Sequence, residues 1–331
     1  MATLSGKVTL LDVAKTFNPD GSAATIAELL SQENEMLIDM PWYEGNLPTG
    51  HRITTRTGLP DAIFRKLNGG VPPSKATTAQ LDETCGILEA RSEIDCDIAT
   101  LNGNTAAFRM SQATGFMESM NQTMQRQTIY GDSTAPEAFI GLAARFNTVN
   151  ANNAANAVNV IDAGGTGTDN ASLWLIGWGS NSVHGIFPKG SEAGLRHKDL
   201  GEIDAFDANQ NRFRAYADWY QWKCGIAVPD WRYVVRIANI DRSDLTKNAS
   251  AGADLIDLMT QAVEKIHSLT GVTPAFYADR TLRSFLRRQT VNKVAAGTLQ
   301  YDNVGGKPAL MFAEVPVRRV DALGVNEARV V

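Results

Sequence analysis

The chain is short of cysteine, histidine, net charge and long apolar runs, and each shortage removes a class of protein. Cys85, Cys96 and Cys224 are odd in number and far apart, which fits neither a disulfide framework nor a zinc site and suits a reducing compartment. The four histidines, His51, His184, His197 and His267, lack metal-ligand spacing, and no G-x-S-x-G elbow presents a serine nucleophile. "DAGGTGTDNAS" begins a dinucleotide pattern at Gly165 that Asn170 breaks, and "GGKP" at Gly305 lacks the glycine spacing and the Ser/Thr of a phosphate loop. A formal charge of −5 sets up no overall field toward nucleic acid. No apolar run reaches the roughly 18 residues of a membrane helix, and "MATLSGKVTLLDVAKTF" has no signal core, so cytoplasmic synthesis is expected. No catalytic, cofactor or metal residue is named by these patterns. What is present, 331 residues that are 44% hydrophobic and 20% charged, can bury a sizeable core in two lobes.

Charge is also missing from one long helix. Residues 104–131, "NTAAFRMSQATGFMESMNQTMQRQTIYG", carry only Arg109, Glu118 and Arg126 before Tyr130. Asn104 is a good N-cap, Gly131 suits the position after the last turn, and Ala106, Met110, Ala113, Met117, Met120 and Met124 recur at spacings of four and three. At about 1.5 Å per residue such a helix runs about 39 Å. Its other face holds amides and hydroxyls instead of the Glu and Lys that keep exposed helices apart. Such a face tolerates another protein surface, though a buried helix of a large monomer would read the same.

Ahead of it, a short helix is expected near Ala24 to Gln32, then "MLIDMPWYEGNLPTG", too rich in proline and glycine for regular structure. "HRITTRTGLP" from His51 alternates like a strand, and "AQLDETCGILEARSEIDCDIA" from Ala79 reads as its return, with a bulge near Gly86. Leu47 to Arg91 therefore forms a two-stranded excursion with too little apolar material to stand alone. Its outbound limb carries His51, Arg52, Arg56, Arg65 and Lys66, and its return Asp82, Glu83, Glu89, Glu93, Asp95 and Asp97. These opposite charges can pair across the limbs of one molecule or between copies.

Six asparagines between Asn147 and Asn159 mark a connector and a lobe boundary. The chain is then β-rich from Ser172 to about Arg242, with five of its six tryptophans, and two amphipathic helices follow, Ala253–Leu269 and Asp279 to about Asn292. "ALMFAEVPVRRVDAL" reads as a strand reaching Val320. Two charge clusters bear weighing. Glu93, Asp95 and Asp97 would share one side of a strand, but solvent or a neighbouring arginine is their usual partner. Arg280, Arg283, Arg287 and Arg288 form a stripe without interleaved aromatics, for which a solvated or salt-bridged face outweighs a DNA contact.

Taken in order, these segments resemble the major capsid proteins of tailed bacteriophages, the podovirus-type group with the Hong Kong 97 capsid fold. "LLDVAKTFNPDGSAATIAELLSQENEMLIDMPWYEGN" is similar to that family's N-terminal arm, and "PTGHRITTRTGLPDAIFRKLNGGV" with its acidic return to the extended loop. "NTAAFRMSQATGFMESMNQ" and "FIGLAARF" take the place of the spine helix and the segment leaving it. "TPAFYADRTLRSFLRRQ" resembles a strand–helix step of the axial domain, and "VPVRRVDAL" the closing strand of the peripheral domain. Glu314-Val315 departs from the glycine that relatives often carry before the Pro-Val pair.

The resemblance implies an α+β fold of the Hong Kong 97 type. Its parts would be an arm over 1–46, an extended β-hairpin loop over 47–91, a peripheral domain over 92–146 with the spine helix at 104–130, an axial domain over 147–303 and closing peripheral strands over 304–331. It implies a structural protein, not an enzyme, whose copies close as hexamers and pentamers around double-stranded DNA held non-specifically on the inner face. Further partners are a separate scaffolding protein, since the arm is shorter than a built-in scaffolding domain, a portal protein and an added decoration protein; no cofactor or membrane is implied. Contacts between copies are expected at Arg52, Arg56, Leu59, Ile63, Phe64, Arg65, Lys66, Glu89, Glu93 and Asp95. An encapsulin-type compartment is the alternative on the same fold, and a soluble oligomeric enzyme or binding protein a remote third.

Overall fold

The computed structural model describes residues 32–101, 105–207, 209–246, 252–292, 299–304, 307–323 and 326–331, with side chains described outside 290–309. The helix expected from Ala24 lies outside these residues up to Gln32, as does the Asn104 cap.

A short helix α1 (Met36–Asp39) and strand β1 (Trp42–Glu44) lead into β2 (Gly50–Gly58), which pairs antiparallel with β3 (Thr77–Thr84) as a ribbon of two strands; Arg52 faces Asp82 and Ile53 faces Leu81. The return limb is two strands, not one with a bulge. β3 stops at Thr84, and β4 (Gly86–Asp95) starts after Cys85 with a different partner, the 16-residue β9 (Arg212–Ala227). Glu89, Glu93 and Asp95 therefore sit on the body, not on the excursion. After α2 (Cys96–Thr100) comes the long helix α3 (Thr105–Tyr130), then α4 (Leu142–Arg145).

β5 (Val160–Asp162), β6 (Asn170–Trp178), β7 (His184–Phe187) and β8 (Leu195–Phe206) precede β9, followed by β10 (Val234–Asp241), α5 (Leu255–Lys265), β11 (Thr273–Ala278), α6 (Arg280–Asn292), β12 (Leu299–Val304), β13 (Lys307–Phe312) and β14 (Val315–Arg319). One sheet runs β1-β7-β9-β4 with β8 on β9, and a larger one runs β12-β13-β14-β11-β6-β10-β5. Sheet membership thus interleaves along the chain: β9 joins β4 from before α3, and β14 lies parallel to β11 beside β6.

β6 shows why its centre, Leu173–Ile176, is apolar without a break. Leu173 and Leu175 face α5 and α6, packing with Leu255, Met259, Leu282 and Leu286, whereas Trp174, Ile176 and Trp178 face a second core with Met124, Ile129, Phe146 and Tyr277. A strand covered on both faces keeps no polar side. α3 adjoins that second core only near its end. Met120, Met124, Gln125, Thr128 and Ile129 are buried there, and Phe108 belongs to a small cluster with Ile94 and Ala99. Met110 and Met117 of the expected stripe are exposed, because no described layer lies above that face in the middle of the helix. The asparagine-rich connector is ordered: Asn159 donates Nδ2 to the Val234 carbonyl at 2.9 Å, and Asn156 donates to that of Arg145.

Candidate assembly interface

Exposed apolar surface is what the structure offers as a site, and its longest stretch along the chain, Leu59 to Leu81, lies on the excursion. Every residue from Leu59 to Asp82 is exposed, including Ile63, Phe64, Leu67 and Val71. Glycine, proline and threonine keep the connector between β2 and β3 from forming a core of its own, and fully burying five such aliphatic and aromatic side chains would contribute roughly 7 to 15 kcal/mol. Arg56, Lys66 and Lys75 make no ion pair among the described residues; Arg65 reaches only the Lys66 carbonyl, at 3.4 Å. Arg52 is bidentate to Asp82, at 2.6 and 2.7 Å, and that exposed pair holds the Asp82 carboxyl below its usual range.

The stem contrasts with the tip. Ile53 is buried against Ile186 and Ala227, and the Glu83 carboxylate receives both arms of the Arg145 fork, at 2.5 and 2.6 Å, from α4. Asn46 closes the entry turn, donating Nδ2 to the Arg52 carbonyl at 2.8 Å and accepting from Arg52 N at 2.7 Å. Gly50 is needed because a Cβ there would lie 1.9 Å from the Glu83 carbonyl oxygen. The excursion is a lever fixed at its base.

The acidic residues expected to serve this interface are occupied within the chain. Glu89 accepts from Gln221 Nε2, and Glu93 pairs with Arg91 at 3.2 Å. Asp95 caps α2 by accepting from Asp97 N at 2.9 Å, and Asp97 lies in that helix, so the three carboxylates do not share one strand face. A helix start consumes the alternation that a strand would have needed.

α3 answers its own shortage of charge. Arg109 turns onto the body, reaching Asp218 at 2.8 Å and Asp199 at 2.7 Å, and those contacts, Asp199 first, raise its pKa. Glu118 accepts from Gln32 N at 2.8 Å and from Gln122 at 2.7 Å. Of the three charges only Arg126 is left fully exposed.

Sequence reasoning missed one lock. Arg236, buried in β10, reaches Glu327 at 2.7 Å, the Phe146 carbonyl at 2.7 Å and Ser172 Oγ at 3.0 Å; Glu327 also accepts from Tyr130 Oη at 2.7 Å. Burial, then the Glu327 carboxylate, raises the Tyr130 pKa well above its ordinary value. The last residues are thereby tied to the end of α3 and to the large sheet, helped by Val330 N donating to Asn239 Oδ1 at 2.8 Å. A charged side chain inside "WRYVVRIANI" was the one available signal.

A two-sheet α+β body with a long weakly charged helix and an anchored, uncovered hairpin defines the subunit of a phage capsid shell. The chain belongs to the major capsid protein GP7 family, whose family model matches residues 18–331. The structure of bacteriophage epsilon15 is similar at TM-score 0.80 and 31% identity, covering 100% of this chain and 99% of that one. The capsid of bacteriophage JBD30 aligns at TM-score 0.49 and 9% identity over 89% and 92% of the two chains. The SrpI encapsulin of Synechococcus elongatus PCC 7942 aligns at 0.44 and 10% over 71% and 96%. No curated protein sequence matches the chain.

Proposed function

We propose that many copies of this major capsid protein, as hexamers and pentamers assembled in the host cytoplasm, close an icosahedral shell around double-stranded DNA. In this reading each hairpin lies over a neighbouring copy, Leu59, Ile63 and Phe64 supplying apolar burial, and Arg56, Arg65 and Lys66 setting register. The observation that carries it is the uncovered run from Leu59 to Asp82 on a stem fixed by Glu83 and Arg145. Obligate interfaces bury about 2,000 to 5,000 Å², and at about 25 cal/mol per Å² of apolar area this outweighs exposed ion pairs worth about 0 to 1 kcal/mol. The same reading divides the chain into arm, extended loop, peripheral and axial parts, and assigns it no reaction. It includes a separate scaffolding protein, a portal protein and a decoration protein as partners.

The test is the triple change Leu59→Ser, Ile63→Ser, Phe64→Ser in co-expression with the phage's other assembly proteins. Electron microscopy and heating of purified particles should find few shells, or shells that come apart well below the wild-type temperature. Wild-type yield and heat resistance would rule out the clasp. Wild-type particles without nucleic acid would refute the DNA-enclosing part separately.

A further inference from the structure

α6 turns its arginines to the surface around a depression of about 410 Å³ lined by Arg280, Arg283, Ser284, Arg287, Arg288 and, from β14, Arg319. Acids reach it from just past β14 and from the segment before α1: Asp321 binds Arg319 at 2.7 Å and Arg280 at 3.2 Å, Glu33 binds Arg319 at 2.7 Å, and Glu35 lies close enough to act on Arg283. Arg283, farther along the helix, has a buried Nε with no hydrogen-bond acceptor among the described residues. An unmet donor on a half-buried cation is costly unless an anion arrives from outside. Burial pushes the Arg283 pKa down; Glu35 and Glu33 oppose this, and Arg287 and Arg319 add to it.

We propose that this depression is a binding subsite for the phosphate backbone of duplex DNA. It rests on the reading that the shell encloses such DNA, and it assigns particular residues to that contact. Three features favour a nucleic-acid backbone over an acidic segment of another copy. All five cations are arginines, whose planar fork suits paired phosphate oxygens. Among the described residues the lining has no apolar side chain, so a docked protein segment would find no anchor there. At about 1.5 Å per residue, Arg280 to Arg288 extends about 12 Å, which matches about three successive phosphates of one strand better than one compact anion. The lack of interleaved aromatics suits a paired duplex, whose bases are already stacked.

The test compares the full soluble chain with Arg283→Gln/Arg287→Gln, with the charge-keeping Arg283→Lys/Arg287→Lys, and with Arg212→Gln/Arg214→Gln, which removes two exposed arginines at the β8–β9 end. Each binds a short defined duplex over a salt series, with inorganic phosphate as a second probe. The Gln pair should weaken duplex binding roughly tenfold and flatten the log–log salt slope by about two, while near-ultraviolet dichroism and particle yield stay as in the wild type. The Lys pair should keep most of that slope, and the β8–β9 pair should leave binding unchanged.

The proposal is overturned if the Gln pair binds with the wild-type slope, or if the β8–β9 pair has as large an effect. It is overturned equally if phosphate saturates the site while duplex does not compete, or if the Gln pair loses assembly but keeps duplex binding, which would assign the depression to an acidic segment of another copy. Particles that package DNA normally with the Gln pair and an unchanged slope would sink this subsite alone, leaving the shell reading intact.

Discussion

β6 and the β2–β3 ribbon are both made of β-structure in one chain, yet every residue of β6 is buried while the ribbon's connector is wholly exposed. β6 has a covering layer on each face, so Trp174 and Leu175 draw their stabilisation from within the subunit. Among the described residues the ribbon has only its stem in contact with the body, and a two-stranded ribbon alone is marginal in water. Equally apolar residues thus serve two scales, one the fold of a subunit and the other the proposed joining of copies.

The largest test of this contrast puts the same kind of truncation in both places. Trp174→Ala should cost the isolated subunit about 3 to 5 kcal/mol in denaturant melts, because it empties a filled core between α3 and the large sheet. Phe64→Ala should leave that melt within about 0.5 kcal/mol of wild type, as exposed positions do, and weaken only assembly. A clear loss of subunit stability on truncating Phe64 would mean the tip already has a partner in its own chain.

A smaller effect lies where the two regions meet. Glu83→Ala leaves the Arg145 guanidinium, mostly buried under the stem, without its carboxylate, which should cost about 3 kcal/mol. Hydrogen exchange should quicken first in β2 and β3, ahead of β6. Uniform quickening through both sheets would show that the stem is not an independent hinge.

How much of this was legible in the sequence varies with the range of the interaction. Period-two alternation from His51, the continuous apolar run of β6 and the amphipathic spacing of α5 and α6 are local, and each element lies within a few residues of its expected place. Asp279 at the start of α6 is likewise a local cap, accepting from Leu282 N at 2.6 Å. What could not be read depends on partners far along the chain. Gly86 looked like a bulge because nothing local says that β4 leaves β3 to pair with β9. Pairing of opposite charges across the limbs is realised at Arg52 and Asp82, but nothing local says that Glu89, farther along the return, is matched to Gln221. Glu327 carries no local sign of its tie to Arg236 and Tyr130. The exposed tip was legible for the opposite reason: its composition rules out a core of its own.

The smallest effect concerns pH and again separates stem from core. His184 of β7 is buried beneath the stem, its ring 6.0 Å from that of His51 and 5.1 Å from that of Tyr43, with Glu83 nearby and its Nδ1 3.3 Å from the Gly179 carbonyl. Burial lowers its pKa below the ordinary 6.5; the Gly179 carbonyl and Glu83 act the other way, and His51 acts with burial. Since the unfolded chain then binds the proton more readily than the folded one, this contribution is fully present above about pH 6.5 and is lost as pH falls toward the folded-state value. Carboxylates whose pKa is lowered, such as Asp321 and Asp199, act in the same direction but only below about pH 4. As pH falls from about 7.5 to 5, protection relative to the intrinsic exchange rate should therefore drop in β2, β3 and β7 while the centre of the large sheet keeps its protection. His184→Gln should flatten that dependence, and a dependence that survives the substitution would move the sensitivity to another group at the stem.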